Sequence, residues 1–208
     1  MEKNHKLRTF SDGMLKSSKI DNIKRECLPY DISGKCPNIK EDKPCFQVGD
    51  IRANQNFLLL SFHLLFLREH NRLAELLPQL NPLKYNSDDI IFEEARRINI
   101  AQYQHIIYEQ FSPELIGTYA VDLYELRPLG SQMNDGTSSY FMGYNEQLYP
   151  SVSVEFSTAA FRFGHSLVRG SLGYANANVK DEVNIRKTIF NTMGKLKLVF
   201  NFDIDFCK

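Results

Sequence analysis

The chain has 208 residues and a mass of 24.1 kDa, and its 25 lysines and arginines balance 25 aspartates and glutamates. A hydrophobic content of 43% and a charged content of 24% are ordinary globular values, which argue against disorder over the whole chain. Zero net charge argues against a general nucleic-acid partner. The most apolar run, from Phe57 to Leu67, falls well short of the ~20 residues of a membrane-spanning helix, so no transmembrane segment is predicted.

Residues 1 to about 50 are predicted to be mostly irregular, because turn-forming residues are frequent and hydrophobic periodicity is weak. Cys27, Cys36 and Cys45 lie in this stretch, and Cys207 is next to the C-terminus. Their wide spacing is not that of a zinc site, and no histidine nearby completes a ligand set. Two interpretations stay open: a disulfide between two of the three clustered cysteines in an oxidising compartment, or reduced thiols.

Two helices are predicted next. Apolar residues recur at helical spacing from about Asn54 to Leu77, and Pro78 is expected to close this helix. Its first half is apolar nearly all round, which is typical of a helix buried inside a fold. A second helix is predicted from an N-cap at Ser87 or Asp88 to about Phe111.

The rest of the chain contains loops and shorter elements. Residues 127–150 are rich in Gly, Pro and Asn and are predicted to form a loop. A third helix is expected at about 154–168, a short amphipathic helix at 182–194, and a strand in the alternating segment 195–202. The predicted fold class is mainly α, with residues 1–208 in a single domain and without internal repeats.

The histidines exclude the common metal sites. His63 and His70 share a helix face but are separated by roughly 10.5 Å of axial rise, too far for one ion. His105 falls on the apolar face of the second helix, where a hydrogen-bonded core histidine is expected. No H-E-x-x-H, Glu-x-x-His, Walker or G-x-G-x-x-G motif is present.

Arg162 and His165 form the most informative pair. They are i, i+3 neighbours on the third predicted helix and therefore point the same way, among Phe156, Phe161 and other apolar residues. A large flat ligand with anionic arms and an axial coordination position, such as haem, would engage both. The alternative is a solvent-facing arginine and a core histidine.

A second candidate is the turn Gly49-Asp50-Ile51-Arg52, which precedes the first long helix. Structurally, Asp50 would cap the turn and Arg52 would be solvated. Functionally, Arg52 would be a fixed positive charge over a reacting centre. Spacing does not decide between these interpretations.

Several blocks together resemble the animal haem peroxidase family, in the style of its invertebrate peroxinectin and chorion-type branch. The resemblance covers residues of about 6–194 and leaves 195–208 divergent. The blocks are Leu7-Arg8-Thr9-Phe10, Pro44-Cys45-Phe46, Gly49-Asp50-Ile51-Arg52-Ala53-Asn54, His63 through Arg72, Glu94-Ala95-Arg96-Arg97, Gln104-His105-Ile106 and Glu155 through His165.

The resemblance implies a partial haem peroxidase-like helical fold with long irregular loops, a haem b cofactor, and reduction of hydrogen peroxide with oxidation of a small donor, halide or phenol. His165 matches the family's axial iron ligand, Arg162 the partner of a haem propionate, and Arg52 the arginine on the peroxide side of the haem. Gln55 and Asn56 replace the residues that form covalent haem links in mammalian members, so non-covalent haem is expected there. The family also implies secretion.

The sequence departs from the family in its front part. The family's acid–base histidine and its calcium-binding loop lie upstream of the Leu-Arg-Thr-Phe block, which here starts at Leu7, and no remaining histidine fits the acid–base role. Two hypotheses follow. The chain is a haem peroxidase polypeptide that is poorly active in isolation, or it is a non-catalytic peroxidase-like module with an adhesion or matrix role.

Overall fold

The computed structural model describes residues 7–9, 11–20, 23–31, 45–127, 145–175 and 180–187. It divides the chain into two compact units. The first unit comprises Met1–Arg96 with Arg169–Lys208, and the second comprises Arg97–Val168. Each unit is described by itself below.

The first unit contains two long helices and two small antiparallel hairpins. Its elements are β1 (Ser18–Ile20), β2 (Ile23–Cys27), a short 3-10 helix called the Arg52 helix (Ile51–Gln55), α1 (Phe57–Leu80), α2 (Asp88–His105), β3 (Ser171–Ala175), β4 (Lys180–Asn184) and a final 3-10 turn (Ile185–Lys187). Strands β1 and β2 pair with each other, as do β3 and β4. The Arg52 helix leads into α1, and the last residues of α2, from Arg97 on, belong to the second unit.

One face of α1 provides the core of the first unit. Leu60, Leu64 and Leu67 follow the i, i+4, i+7 spacing of a helix face and are buried against Leu28 and Phe46. The opposite face is open, since Phe62 is 57% exposed. The prediction that this part of the helix is buried all round is therefore wrong. The helix also runs through Pro78 to Leu80.

Polar contacts fix the N-terminal segment to both long helices. Asn71, on α1, accepts a bond from Leu15 N at 2.8 Å and donates one to Leu15 O at 3.1 Å. Arg8 pairs with Asp88 and Asp89 at the start of α2. These contacts involve buried side chains of Arg8 and Asn71, so they order a segment that carries little regular structure.

The second unit consists of short helical pieces. After α2 the chain forms a π-helical turn (Ile106–Phe111), α3 (Ser112–Ile116), α4 (Thr118–Leu123), α5 (Val154–Thr158) and a 3-10 helix (Ala160–Leu167), called the His165 helix. Among the residues of this unit that the structure describes, Val121 is the one buried hydrophobic side chain. Many apolar side chains of this unit are exposed, including Phe111, Tyr119 and Phe161.

The mainly helical class and both long helices are confirmed. Four details differ from expectation. Ser18–Ile20 and Ile23–Cys27 pair as strands instead of forming irregular chain, and the chain stays helical to Ile116 instead of ending its helix near Phe111. Residues 154–167 form two short helices instead of one, and residues 182–184, where the helix expected at 182–194 would begin, belong to the strand Lys180–Asn184. The predicted strand at 195–202 lies outside the described residues, as does most of the loop predicted at 127–150.

Candidate functional site

The Arg52 helix carries the first candidate residue in a short turn with its own cap. Asp50 precedes the helix in an extended conformation, and its side chain accepts a bond from Arg52 N at 2.8 Å. The same carboxylate binds the guanidinium, with Oδ1 at 2.9 Å from Nε and Oδ2 at 2.6 Å from an amino nitrogen. The predicted cap is confirmed, and Arg52 is ion-paired as well as 73% exposed.

This pairing changes the acid–base properties of both groups. Hydrogen bonds from Arg52 hold the pKa of Asp50 well below its usual range, and the nearby His63 adds a smaller favourable Coulombic effect. The side-chain hydrogen bond to Asp50 in turn raises the pKa of Arg52. Arg52 is therefore a permanent cation whose direction is set by a permanent anion.

Two asparagines attach the Arg52 helix at its far end. Asn54 bonds to the backbone of Phe46 in both directions, at 3.0 and 2.9 Å. Asn56 caps α1 by accepting a bond from Leu59 N at 3.1 Å. The position of Arg52 is thus tied to a buried segment on one side and to α1 on the other.

The His165 helix carries the second and third candidates. In a 3-10 helix, side chains at i and i+3 eclipse each other, so Arg162 and His165 lie on the same side of Ala160–Leu167. Both are exposed, and so are the neighbouring Phe161 and Phe163. Phe161 also stacks on Phe156, with ring centroids 5.5 Å apart. The result is a cation and an imidazole on an aromatic, solvent-open surface.

The structure therefore brings two of the three predicted site residues together. Arg162 and His165 share one helix of the second unit, while Arg52 belongs to the first. His105 is exposed, so its predicted place in the core is wrong. His70 is buried, and its Nε2 lies 2.9 Å from Gly13 O, which gives it a structural role that the sequence did not reveal.

Two further features bear on ligands and membranes. Within the described ranges, no cluster of three or more His, Cys, Asp or Glu side chains could hold a metal ion. No helix in the same part of the chain has the length and apolar character needed to span a bilayer.

Cys27 and Cys45 are each disulfide-bonded, so the thiol interpretation is wrong for these two.

Comparison with known proteins identifies the fold. The family model for the animal haem peroxidases matches residues 1–204. The chorion peroxidase of Drosophila melanogaster is 37% identical over 206 residues, which is 98% of this chain and 24% of that protein. A peroxidasin homologue of Caenorhabditis elegans is 38% identical over 168 residues, covering 78% of this chain and 12% of that protein.

A solved structure gives the same result. Peroxidase A from Dictyostelium discoideum aligns with a TM-score of 0.67 at 31% identity, over 91% of this chain and 34% of that one. The helices and the Arg162–His165 pair thus lie in a peroxidase-type domain. The chain belongs to the animal haem peroxidase family. It spans 24% of the length of the chorion peroxidase.

The residues on the His165 helix fit the cofactor that this family name implies. An exposed imidazole can serve as an axial ligand to iron, and a neighbouring guanidinium can pair with a propionate. Exposed aromatic rings on both sides of the pair offer the apolar contact that a porphyrin requires. A Cβ added at Gly164, which precedes His165, would meet nothing within 4 Å, so the backbone there is open to a flat ligand.

Proposed function

We propose that this chain is part of a haem-dependent peroxidase that reduces hydrogen peroxide and oxidises a small donor, a halide or a phenol. The observation that carries the proposal is the side-by-side placement of Arg162 and His165 on one helix of a chain that matches the family over nearly its whole length. His165 is the proposed axial iron ligand, and Arg162 the proposed partner of a propionate.

Haem, when bound, supplies the iron at which peroxide is reduced. Arg52 is proposed to supply a fixed positive charge on the peroxide side. Cleavage of the O–O bond develops negative charge on the departing oxygen, and a preorganised cation stabilises that charge. The Asp50 carboxylate supports this role because it keeps the guanidinium ionised and oriented.

The binding of haem is proposed to be non-covalent beside the Arg52 helix. Gln55 carries an amide in place of an ester-forming carboxylate, and Asn56 uses its side-chain oxygen to cap α1. Calcium is proposed as a further ion of the complete family domain. None of the residues named here is assigned to it.

An extracellular location is also proposed. Cys27 and Cys45 are disulfide-bonded, and disulfides persist mainly in oxidising compartments. The named relatives include a chorion peroxidase and a peroxidasin homologue. Reaction of the protein, isolated without a reducing agent, with a thiol reagent tests the oxidised state that this location implies: the thiols of Cys27 and Cys45 should appear only after reduction.

The axial role of His165 is tested by titrating the purified chain with haemin and following the Soret band. We expect a saturable shift that His165→Ala abolishes. The matched control is His105→Ala, because His105 is also an exposed histidine of the second unit, and it should leave the shift intact. An unaltered shift in His165→Ala would refute the assignment.

The role of Arg162 has a separate test. Arg162→Ala should weaken haemin binding about tenfold, as expected for a charge-assisted bond of about 1.5 kcal/mol. Haemin dimethyl ester lacks free propionates, so its affinity should be the same for the parent chain and the variant. An equal loss of affinity for both ligands would show that Arg162 acts through packing instead.

Haemin binding, with turnover as a second readout, distinguishes the catalytic proposal from a scaffold role. We expect the isolated chain to oxidise guaiacol little faster than free haemin, because no histidine is assigned to proton transfer on the peroxide side. His70, for example, is buried and bonded to Gly13. Fast guaiacol oxidation at low peroxide would contradict this expectation. A folded chain that binds no haemin would favour a non-catalytic adhesion or matrix module.

A further inference from the structure

Asn54 makes a two-bond attachment between the Arg52 helix and the rest of the first unit. Its Oδ1 accepts a bond from Phe46 N at 3.0 Å, and its Nδ2 donates to Phe46 O at 2.9 Å. The side-chain amide of an asparagine carries a donor and an acceptor side by side, so it can bond to the N–H and the C=O of one residue at the same time. This pair of bonds fixes both the distance and the orientation of the helix relative to Phe46.

The segment that Asn54 binds is itself held firmly. Phe46 is 2% exposed and packs in the core with Leu60 and Leu64, and its ring stacks on Tyr30 at 5.4 Å. The preceding residue, Cys45, is buried and disulfide-bonded. The backbone bonds Asp31 N to Cys45 O and Gln47 N to Pro29 O, both 2.7 Å, complete the attachment.

The Arg52 helix depends on attachments to its neighbours, and the bonds of Asn54 supply the one to the buried segment at Phe46. A 3-10 helix of five residues has little stability of its own, and the Arg52 side chain is 73% exposed. Its bonds to Asp50 are made within the same turn. They orient the guanidinium within the turn, but they do not fix the turn to the core.

We propose that Asn54 is a positioning residue for Arg52, which fixes the cation through the backbone of Phe46. The importance of that position for peroxide chemistry rests on the function proposed above. The positioning itself does not, because it concerns contacts within the first unit. Asn54→Ala removes both bonds to Phe46, and the smaller hydroxyl of Asn54→Ser cannot replace them together.

The first test uses the full chain without haemin and measures the titration of the Asp50 carboxyl by NMR. In the parent, the pairing with Arg52 should keep Asp50 ionised well below the ordinary midpoint of about 3.9. In Asn54→Ala the turn loosens, and the midpoint should rise toward that value. Asn54→Ser should do the same and serves if the alanine variant does not fold.

Two asparagine controls separate positioning from general destabilisation. Asn86→Ala removes an exposed asparagine that bonds to Leu83 O in another turn. Asn71→Ala removes a buried asparagine and should lower stability. Both should leave the Asp50 titration unchanged. An unchanged Asp50 midpoint in folded Asn54→Ala or Asn54→Ser would overturn the proposal.

A second measurement links the position to the proposed chemistry. Azide is an anion that binds haem iron, so its affinity for the haemin-loaded chain should fall severalfold in Asn54→Ala and in Arg52→Ala. If the Asp50 midpoint rises but azide affinity is unaffected in both variants, the positioning role stands and the proposed role of Arg52 fails. The two proposals can therefore fail separately.

Discussion

At the scale of single residues, His70 is a buried imidazole whose protonation the folded chain resists. It is 3% exposed, its Nε2 donates to Gly13 O, and its ring lies 5.1 Å from that of Phe92. Burial, which is the largest effect, lowers the pKa of His70, and the charge of Arg8 lowers it further. The bond to Gly13 O opposes these effects in part.

This lowered pKa makes stability depend on pH. The unfolded chain takes up a proton at His70 near pH ~6.5, whereas the folded chain does so only at lower pH. The contribution of His70 to the free energy of unfolding should therefore be fully present above that pH. It should fall as the pH decreases toward the folded pKa, by at most about 1.4 kcal/mol per pH unit. Urea unfolding between pH 7.5 and 5.5 measures the loss.

Two substitutions isolate the contribution of His70. In His70→Gln the amide can still donate to Gly13 O but does not titrate. The free energy of unfolding should therefore differ less between pH 7.5 and pH 5.5 than it does in the parent chain. His105→Gln changes an exposed histidine and should keep the parental difference. An equal difference in all three proteins would assign the pH dependence to other groups.

At the scale of elements, Gly13 is a point of close approach between the N-terminal segment and α2. Its φ is +68°, and a Cβ there would lie 2.5 Å from Ile91 Cγ2 and 2.6 Å from Phe92 N. Its amide also donates to Asp88 at 2.6 Å. Gly13→Ala should lower the free energy of unfolding by about 2–4 kcal/mol, about 1 from the left-handed backbone and 1–3 from overpacking.

Two other glycines serve as controls for this prediction in urea or thermal unfolding. Gly117 has a φ of +83° and a ψ of 151°, a conformation that essentially only glycine adopts, but open space around it, so Gly117→Ala should show a backbone cost of about 1–3 kcal/mol without overpacking. At Gly49 a Cβ would meet only Leu7 at an ordinary 3.8 Å, and its substitution should cost little. A loss at Gly13 of no more than about 1 kcal/mol, the backbone cost alone, would mean that the segment shifts away from α2 without penalty.

The long helices could be predicted from sequence because their apolar periodicity is strong, and the hairpin of β1 and β2 could not. Its strands are largely polar, and tertiary contacts hold β2 against α1, such as the 2.7 Å bond from Arg68 Nε to Glu26 O.

The prediction that His105 lies in the core failed because it rested on periodicity alone. The apolar face continues along α2, but the chain passes into the second unit at Arg97, where a periodic pattern no longer reports on the same core.

The sequence also predicted some contacts of the candidate site and missed others. The i, i+3 spacing pairs Arg162 with His165 whether the helix is α or 3-10, so that prediction survived a change of helix type. The Asp50–Arg52 pair was foreseen only as a cap, although an acid two residues before an arginine was a usable signal. The contact of Asn54 with Phe46 depends on how the chain returns on itself, which no local pattern indicates.

At the scale of the whole molecule, the two units differ in how much apolar surface they bury. Most of the described buried hydrophobic residues lie in the first unit, and Val121 is the one in described residues 97–127 and 145–168. Segments with few buried contacts open locally at low free-energy cost. Amide hydrogen exchange should therefore be slowest along α1, around Leu64, and much faster in α3, α4 and the His165 helix.

Haemin should change this pattern in a defined place. A ligand that binds the folded form stabilises it by mass action, and a porphyrin held by Arg162 and His165 would cover the exposed rings of Phe161 and Phe163. Exchange should slow across Ala160–Leu167 when haemin is added to the parent chain, and not in His165→Ala. The amides of α1 are the internal control, since their buried face already protects them. Slowing that is equal in both proteins would mean that haemin associates with exposed apolar surface without using His165.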